Sequence, residues 1–553
     1  MDGILMKKND HHRSSLKINT VPWLRRIILL TVPAILFFCL SPGCRTATAP
    51  QPYQAPANAT AISGRPIVFM TASELAEAIR SGKLTSVEVV SAHINHIHKY
   101  NPDLNAIVFI DEKSALEKAR QADEALARGE ILGALHGVPV SIKDHFAVDG
   151  MRVTNAFPPL ADQVTDFDAT VVKRLKDAGA IILGITNMPV MAMDVQTFNP
   201  IYGRTNNPWD LTRTPGGSSG GGAAAVASGM SPLTIGSDLG GSIRIPAAFC
   251  GIYGIKPTEN FVSGYGIFPG ISDANKRTVR AMASLGPLAR SIKDLKLCLP
   301  IIAGPDGYDA MVPAVDLSPK PKPAYTDLRI AWSDNFGDVP VSNETRKVME
   351  QVIQKLTDKG CTIKQLNPPH FDFPEVWETW GKMVDLQINI NLPAPARFLM
   401  YALGGLERRQ SPLLQMVYPA TYDKFIEESS RREILIAHLE QFLMKWDVFI
   451  CPVVTRSAYK HHEPNDVIFG YNIYRDPIPV GDHQLNYWTA NSAYTAPFNA
   501  TGNPVITIPA GYSEDGMPIG LQIVGRRWHD MELLDMAEMI DAAAGAYREP
   551  PGY

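Results

Sequence analysis

Apolar positions recur at helical spacing in two early segments, each behind the same start signal. Thr71-Ala-Ser-Glu74 precedes Leu75 and Ile79, and Thr85-Ser-Val-Glu88 precedes Val90, Ile94 and Ile97. In such a box the threonine hydroxyl takes a first-turn N–H and the glutamate returns to the threonine N–H. Both segments therefore predict helix starts. A charged, alanine-rich run from Glu112 to Arg128 reads as another helix, and so does Asp168 to Ala178. Two short, mostly apolar runs read as buried strands: Gly137-Val-Pro-Val-Ser-Ile-Lys-Asp144, ending in two charges, and Ala180-Ile-Ile-Leu-Gly184. Strands alternating with helices predict an α/β fold, a sheet covered by helices on both faces. No internal repeat is visible, and the Pro/Lys-rich stretch Ser318 to Pro323 reads as a connection inside one domain.

The N-terminal pattern is different. Lys7, Lys8, Arg13, Lys17, Arg25 and Arg26 outnumber Asp2 and Asp10, and an uncharged, mostly apolar run follows from Ile27 to Leu40. A basic stretch, a short apolar stretch and small residues read as an export signal. The run is shorter than the ~20 residues that span a bilayer comfortably. Gly43-Cys44 resembles the cleavage site of bacterial lipoproteins, although Ser41 and Pro42 depart from it. Cleavage near Ala47-Thr48-Ala49 and retention as an anchor are the alternatives. Gln51 to Gly64, rich in Pro, Ala and Gln, reads as a tether. The expected division is an export segment over 1–44, a linker over 45–66 and one domain over 67–553. The expected location is the periplasm or cell envelope, with attachment through the N-terminal segment or a lipidated Cys44 left open.

Composition narrows the class. The chain has 553 residues, 45% hydrophobic and 20% charged, which suits a globular protein with a sizeable core. The net charge of −4 gives no footprint for nucleic acid. Six cysteines without a C-x-x-C pair indicate neither a disulfide scaffold nor a zinc site. His461, His462 and Glu463 form a polar cluster that reads as a surface loop rather than a metal site.

Glycines cluster beside serines in Pro215-Gly-Gly-Ser218-Ser219-Gly-Gly-Gly222 and in Ile235-Gly-Ser-Asp238-Leu239-Gly240-Gly241-Ser242. Successive N–H groups in glycine turns form anion-binding concavities, which an oxyanion hole beside a nucleophile requires. Three chemistries compete. Gly217-Ser-Ser219-Gly-Gly221 matches G-x-S-x-G, but that elbow needs a strand before it. The preceding Asn207 to Pro215 is polar and bracketed by prolines. A phosphate-binding P-loop lacks its Gly-Lys-Ser/Thr. A serine activated by a neutral, buried lysine remains, and Lys143 at the end of an apolar strand is its candidate.

With these motifs in order, the chain resembles the amidase signature family of serine hydrolases. The resemblance rests on Gly137 to Asp144, Pro215 to Gly221 and Gly240-Gly-Ser242-Ile-Arg-Ile-Pro-Ala-Ala-Phe-Cys-Gly251. Flanking matches are Gly184-x-Thr-Asn187, Gly254-x-Lys-Pro-Thr258, Gly286-Pro-Leu-Ala-Arg290, Ala303-Gly-Pro-Asp306, Pro497-Phe-Asn, Thr501-Gly-Asn-Pro504 and Gly516-x-Pro-x-Gly-Leu-Gln522. It covers roughly residue 67 to the end, with Lys143 and Ser218 75 residues apart and Ser218 and Ser242 24 apart. It implies the family's large twisted mixed sheet flanked by helices. It implies Ser242 as nucleophile, Ser218 as a bridging serine after a cis peptide from Gly217, and Lys143 as base. It implies an oxyanion hole from the N–H groups of Leu239, Gly240, Gly241 and Ser242. Ser219 would support the relay, and Asp238 and Arg244 would orient the loops. No metal or organic cofactor is implied.

Two departures are visible. Leu239 stands where threonine is common, and Thr154-Asn155-Ala156 replaces a glycine-bearing segment that can line the pocket. Asp194 and Tyr202 are candidate substrate-binding residues. Phe371, Phe373, Trp377, Trp380, Tyr418, Tyr422 and Tyr471 lie in the stretch that follows the family weakly. They read as core first and as an acyl pocket second. The implied activity is hydrolysis of a small or peptide-like amide through an acyl-enzyme, with a homodimer left open. The alternative is a glutamine-hydrolysing subunit of a tRNA amidotransferase, which an export signal disfavours.

Overall fold

The computed structural model describes residues 65–268, 279–318, 320–388, 393–403 and, apart from 412, 416, 469 and 470, 411–553. The stretch expected to be an export segment (1–44, including Cys44) and the expected linker up to residue 64 lie outside the described residues.

Both predicted boxes form. Thr71 and Thr85 cap the helices Ala72–Arg80 and Ser86–Leu104, each with the reciprocal glutamate bond. Carboxylates from distant segments complete the two helix starts. Asp294 accepts from the N–H groups of Ala72 and Ser73, and Asp123 from those of Ser86 and Val87. Those N–H groups have no partner within their own helices, so these bonds replace water at a buried end. Thr85→Ala is expected to cost about 1 kcal/mol, read as a lower urea midpoint.

The strands, in chain order, are β1 (Ile107–Ile110), β2 (Pro139–Lys143), β3 (Ile181–Thr186), β4 (Phe198–Asn199), β5 (Gly203–Arg204), β6 (Leu233–Asp238), β7 (Tyr253–Lys256), β8 (Ser284–Ala289) and β9 (Arg329–Trp332). They continue with β10 (Thr362–Gln365), β11 (Val448–Pro452), β12 (Asp466–Ile468), β13 (Tyr471–Ile473), β14 (Ile478–Val480), β15 (His483–Leu485), β16 (Val505–Tyr512) and β17 (Pro518–Val524). Eleven of them form one mixed sheet in the order β1-β3-β2-β6-β8-β7-β16-β17-β11-β9-β10. The runs β3-β2-β6 and β11-β9-β10 are parallel, and the remaining neighbours are antiparallel. β4–β5, β12–β13 and β14–β15 are separate hairpins.

Alternate strand residues enter different apolar clusters. Val448 and Ile450 of β11 pack into one and Phe449 and Cys451 into another; Ile330 and Ala331 of β9 divide the same way. The sheet is therefore buried on both faces, which explains why its central strands read as continuous apolar runs. Among the described residues no helix is long and apolar enough to cross a membrane.

The helix Gly220–Ala227 is buried at every position. Its glycines are there for contact: a Cβ on Gly221 would fall 2.5 Å from the Asn187 backbone. This brings the helix start, and the serines before it, against the sheet. Parallel strands β2 and β6 are neighbours, and their C-terminal ends carry Lys143 and Ser237-Asp238. The crevice beyond the C-terminal ends of parallel strands is where such sheets place their chemistry.

Candidate active site

Lys143 is fully buried at the end of β2, with its Nζ among three hydroxyls: 2.7 Å from Ser218 Oγ, 3.0 Å from Ser219 Oγ and 3.0 Å from Ser237 Oγ. Burial pushes its pKa down to about 7, with Asp238 opposing the shift. A neutral amine has two N–H donors and one lone pair, so one of the three hydroxyls must donate to it. Ser219 Oγ faces the carbonyl of Ser237 at 3.4 Å, and Ser218 makes the shortest contact. Ser218 is thus the best-placed hydroxyl to hand its proton to Nζ.

The peptide bond between Gly217 and Ser218 is cis. Ser219 N–H donates to the Ser242 carbonyl at 3.1 Å, tying the two serine loops together. Among the described residues no hydrogen bond joins the hydroxyls of Ser218 and Ser242. The lysine–Ser218 link is made in this structure. Among the described residues no strand leads directly into Gly217 to Gly221, and no histidine bonds Ser219. The nucleophile-elbow reading therefore lacks both its context and its base.

Asp238 and Arg244 are buried partners. Arg244 Nε donates to Asp238 Oδ2 at 3.0 Å and Nη2 to Oδ1 at 2.9 Å, with neither side chain exposed. The remaining guanidinium donors reach the Thr495 carbonyl, Gln522 Oε1 and Asn499 Oδ1. Burial alone would raise the Asp238 pKa, but the Arg244 charge overrides it and holds the carboxyl well below its usual range. The carboxylate then organises the loop before Ser242, taking the N–H groups of Gly241 at 2.8 Å and Ile243 at 3.1 Å. Arg244→Ala would leave that buried carboxylate unpaired. We expect a loss of about 3–5 kcal/mol, measured by urea denaturation.

This arrangement narrows the expected oxyanion hole. The Gly241 N–H is committed to Asp238, which leaves those of Leu239, Gly240 and Ser242 without a partner among the described residues. The Trp380 indole donates to the Leu239 carbonyl at 2.9 Å, and Thr495 Oγ1 to the Gly240 carbonyl at 2.8 Å. Across a trans peptide the N–H points opposite to the carbonyl, so Trp380 turns the Gly240 N–H away from its own ring. The leucine at position 239 leaves the hole intact, because the hole uses only its backbone N–H; its side chain joins the cavity wall.

Ser242 opens onto a cavity of about 230 Å³. Its walls are largely apolar: Met193, Leu239, Trp380, Val384, Leu413 and Trp488. Of the aromatic residues singled out from sequence, Trp380 reaches this cavity, while Phe371, Phe373 and Trp377 are core. Tyr418 and Tyr422 are exposed. Trp488, absent from the expected set, lines the cavity from the helix Tyr487–Ser492.

Of the two substrate-binding candidates, Asp194 lies at the cavity and Tyr202 does not. Tyr202 borders a different, surface pocket with Asn105 and Arg204. The β4–β5 turn lands on the helix Ser86–Leu104, whose Asn105 cap donates to the Tyr202 carbonyl at 2.7 Å. Asp194 does line the cavity, but its carboxylate is filled by protein donors (Val195 and Gln196 N–H, Asn472, Tyr474 and Tyr487). The Thr154–Ala156 segment does not line the cavity. Asn155 and Ala156 adopt positive φ, and the Asp144 carboxylate accepts from the N–H groups of Thr154 and Ala156.

Glu463 pairs with Arg204, and His461 meets Asn206 Oδ1 at 3.0 Å. Among the described residues no cluster could hold a metal ion. Sequence reasoning missed Ser237 as the third hydroxyl on Lys143, although its motif was in view. It also missed Lys256, a second buried lysine with its pKa pushed down to about 7 by burial, held by the Pro257 carbonyl and Ser284 Oγ.

The chain is similar to known proteins over most of its length. Residues 88–534 match the Amidase family. The A subunit of glutamyl-tRNA(Gln) amidotransferase from Alkaliphilus metalliredigens is 32% identical over 495 residues, covering 87% of this chain and 98% of that protein. Its namesake from Moorella thermoacetica is 32% identical over 506 residues, covering 88% and 99%. Among solved structures, 6-aminohexanoate cyclic dimer hydrolase superposes with a TM-score of 0.71 at 27% identity, over 88% of this chain and 99% of that one. A bacterial aryl acylamidase shares the fold at a TM-score of 0.73 and 24% identity, over 88% and 100%. With the family matched over most of its length and full-length relatives above 30% identity, the chain belongs to the Amidase family, the amidase signature enzymes.

Proposed function

We propose that this protein is a serine amidohydrolase that cleaves an amide bearing an apolar acyl or amine group. The observation that carries the reading is the buried Lys143 Nζ, 2.7 Å from Ser218 Oγ and with its pKa near 7. Ser242 Oγ attacks the amide carbon while its proton passes through Ser218 to Nζ. The N–H groups of Leu239, Gly240 and Ser242 receive the oxyanion. The same proton returns through Ser218 to the amide nitrogen, the C–N bond breaks, the amine or ammonia departs, and the acyl group stays on Ser242 as an ester. Water then attacks the ester, giving its proton to the relay, and the carboxylate leaves with Ser242 restored.

A second reading, a glutamine-hydrolysing subunit of a tRNA amidotransferase, is favoured by the curated relatives, which bear that enzyme's name at 30–32% identity. The cavity chemistry favours the first. The carboxylate of free glutamine calls for a cationic partner, and the described residues lining the cavity include no lysine, arginine or histidine, although Asp385 on the lining suits an ammonium. The basic-then-apolar N-terminus supports export in the same proposal. The test is ammonia release from L-glutamine against phenylacetamide, with and without added amidotransferase partner proteins, beside cell fractionation. We expect at least about tenfold higher kcat/KM for the apolar amide and recovery in the envelope fraction. Preference for glutamine, increased by the partners, would overturn this reading in favour of the second.

A further inference from the structure

We propose that Asp194 is a positioning residue that sets substrate selectivity by fixing the Ile473–Trp488 wall of the cavity to the loop that carries Ser218. The selectivity readout rests on the amidohydrolase reading above; the positioning itself does not.

Asp194 is 5% exposed and sits where three segments meet. Its Oδ1 accepts from Val195 N–H at 2.7 Å, Gln196 N–H at 3.3 Å and Tyr487 OH at 2.5 Å. Its Oδ2 accepts from Asn472 Nδ2 at 2.8 Å and Tyr474 OH at 2.6 Å. A carboxylate offers about four lone-pair sites, so these donors use its capacity and leave none for a substrate. Asp194 therefore acts through its neighbours.

One side of the network is the serine loop. A Cβ on Gly217 would lie 2.8 Å from the Gln196 backbone, and Thr197 Oγ1 donates to the Gly216 carbonyl at 2.9 Å. The other side is the cavity wall. Ile473 adjoins Asn472 and Tyr474, Trp488 adjoins Tyr487, and both Ile473 and Trp488 line the cavity. The rings of Tyr474 and Tyr487 stack at 3.8 Å, so their hydroxyls reach the same carboxylate as a pair. Gln196 adds a second tie: Nε2 donates to the His462 carbonyl at 2.8 Å, and Oε1 accepts from the His462 N–H at 2.9 Å. A shift of either side transmits to the other through Asp194.

An asparagine at 194 turns one oxygen into an N–H₂ group. It then faces either the Asn472 amide or the Val195 and Gln196 N–H groups, donor against donor. The test compares wild type with Asp194→Asn, Asn472→Ala and the double variant, each checked for a cooperative thermal melt above the assay temperature. Hydrogen exchange is followed over 193–197 and 471–476, and kcat/KM is measured for acetamide and phenylacetamide. We expect exchange over 471–476 to rise at least tenfold in Asp194→Asn, and the phenylacetamide-to-acetamide ratio of kcat/KM to fall about tenfold. Asn472→Ala should move both readouts the same way, and the double variant should be no worse than Asp194→Asn. Unchanged exchange, an equal loss on both amides, or additive effects would overturn the proposal. If no amide is turned over by wild type, the amidohydrolase reading fails, while the exchange measurement still decides the role of Asp194.

Discussion

Ser242→Ala is expected to lower kcat/KM for any amide the wild type hydrolyses by about 10⁵–10⁶-fold while the protein stays folded, as removal of a nucleophile does in other serine hydrolases. The substitution removes one partly exposed hydroxyl that makes no hydrogen bond to Ser218, so stability should move by less than about 0.5 kcal/mol. The combination is diagnostic. A structural serine would give a stability change without such a kinetic loss. Ser218→Ala should cost less than Ser242→Ala, because the nucleophile and the oxyanion donors survive it. Steady-state kinetics beside a thermal melt checks all of this.

Lys143 gives the second large effect, and its sign follows from its pKa of about 7. Above that pH the amine is neutral and can take the proton relayed from Ser242. Below it the lone pair is occupied, and kcat/KM should fall tenfold for each unit of pH. Lys143→Ala should remove this limb and lower activity by about 10²–10⁴-fold, the usual worth of a positioned base. Lys256 also has its pKa near 7, but its Nζ is held by the Pro257 carbonyl and Ser284 Oγ and, among the described residues, bonds neither Ser218 nor Ser242. Lys256→Met must therefore keep the acid limb. Both shifts also affect stability. The unfolded chain, with lysines near the ordinary ~10.4, binds more protons than the folded one between pH 7 and 10, so the contribution of these groups to stability rises with pH there.

The parts of the molecule readable from sequence are those where one local signal suffices. The Thr71 and Thr85 boxes mark helix starts because the capping atoms lie within four residues. The strand ending at Lys143 is legible because it is apolar throughout and stops at charges. The glycine–serine loops are legible because chemistry demands their composition. The helix Gly220–Ala227 is not, since three glycines are poor helix formers and burial on all sides leaves no amphipathic period. Asp123 and Asp294 cap helices from 37 and more than 200 residues away, which only tertiary structure brings about. The cavity wall is the least legible part. Trp380, Ile473 and Trp488 come from segments far apart in sequence, and nothing local separates the tryptophan that lines the cavity from Trp377, which is core. Asp194 borders the cavity, but the donors that fill its carboxylate come from three segments, so no local signal shows that it has no room for a substrate.

The measurement that bears most directly on the central claim is intact mass and peptide mapping after reaction with an alkyl fluorophosphonate. The probe phosphonylates an activated serine without needing a known substrate. One adduct is expected on the wild type, mapped to Ser242, absent in Ser242→Ala and formed more slowly in Ser218→Ala and Lys143→Ala. An adduct that persists in Ser242→Ala, or a folded wild type that takes none, would contradict the assignment of Ser242 as nucleophile.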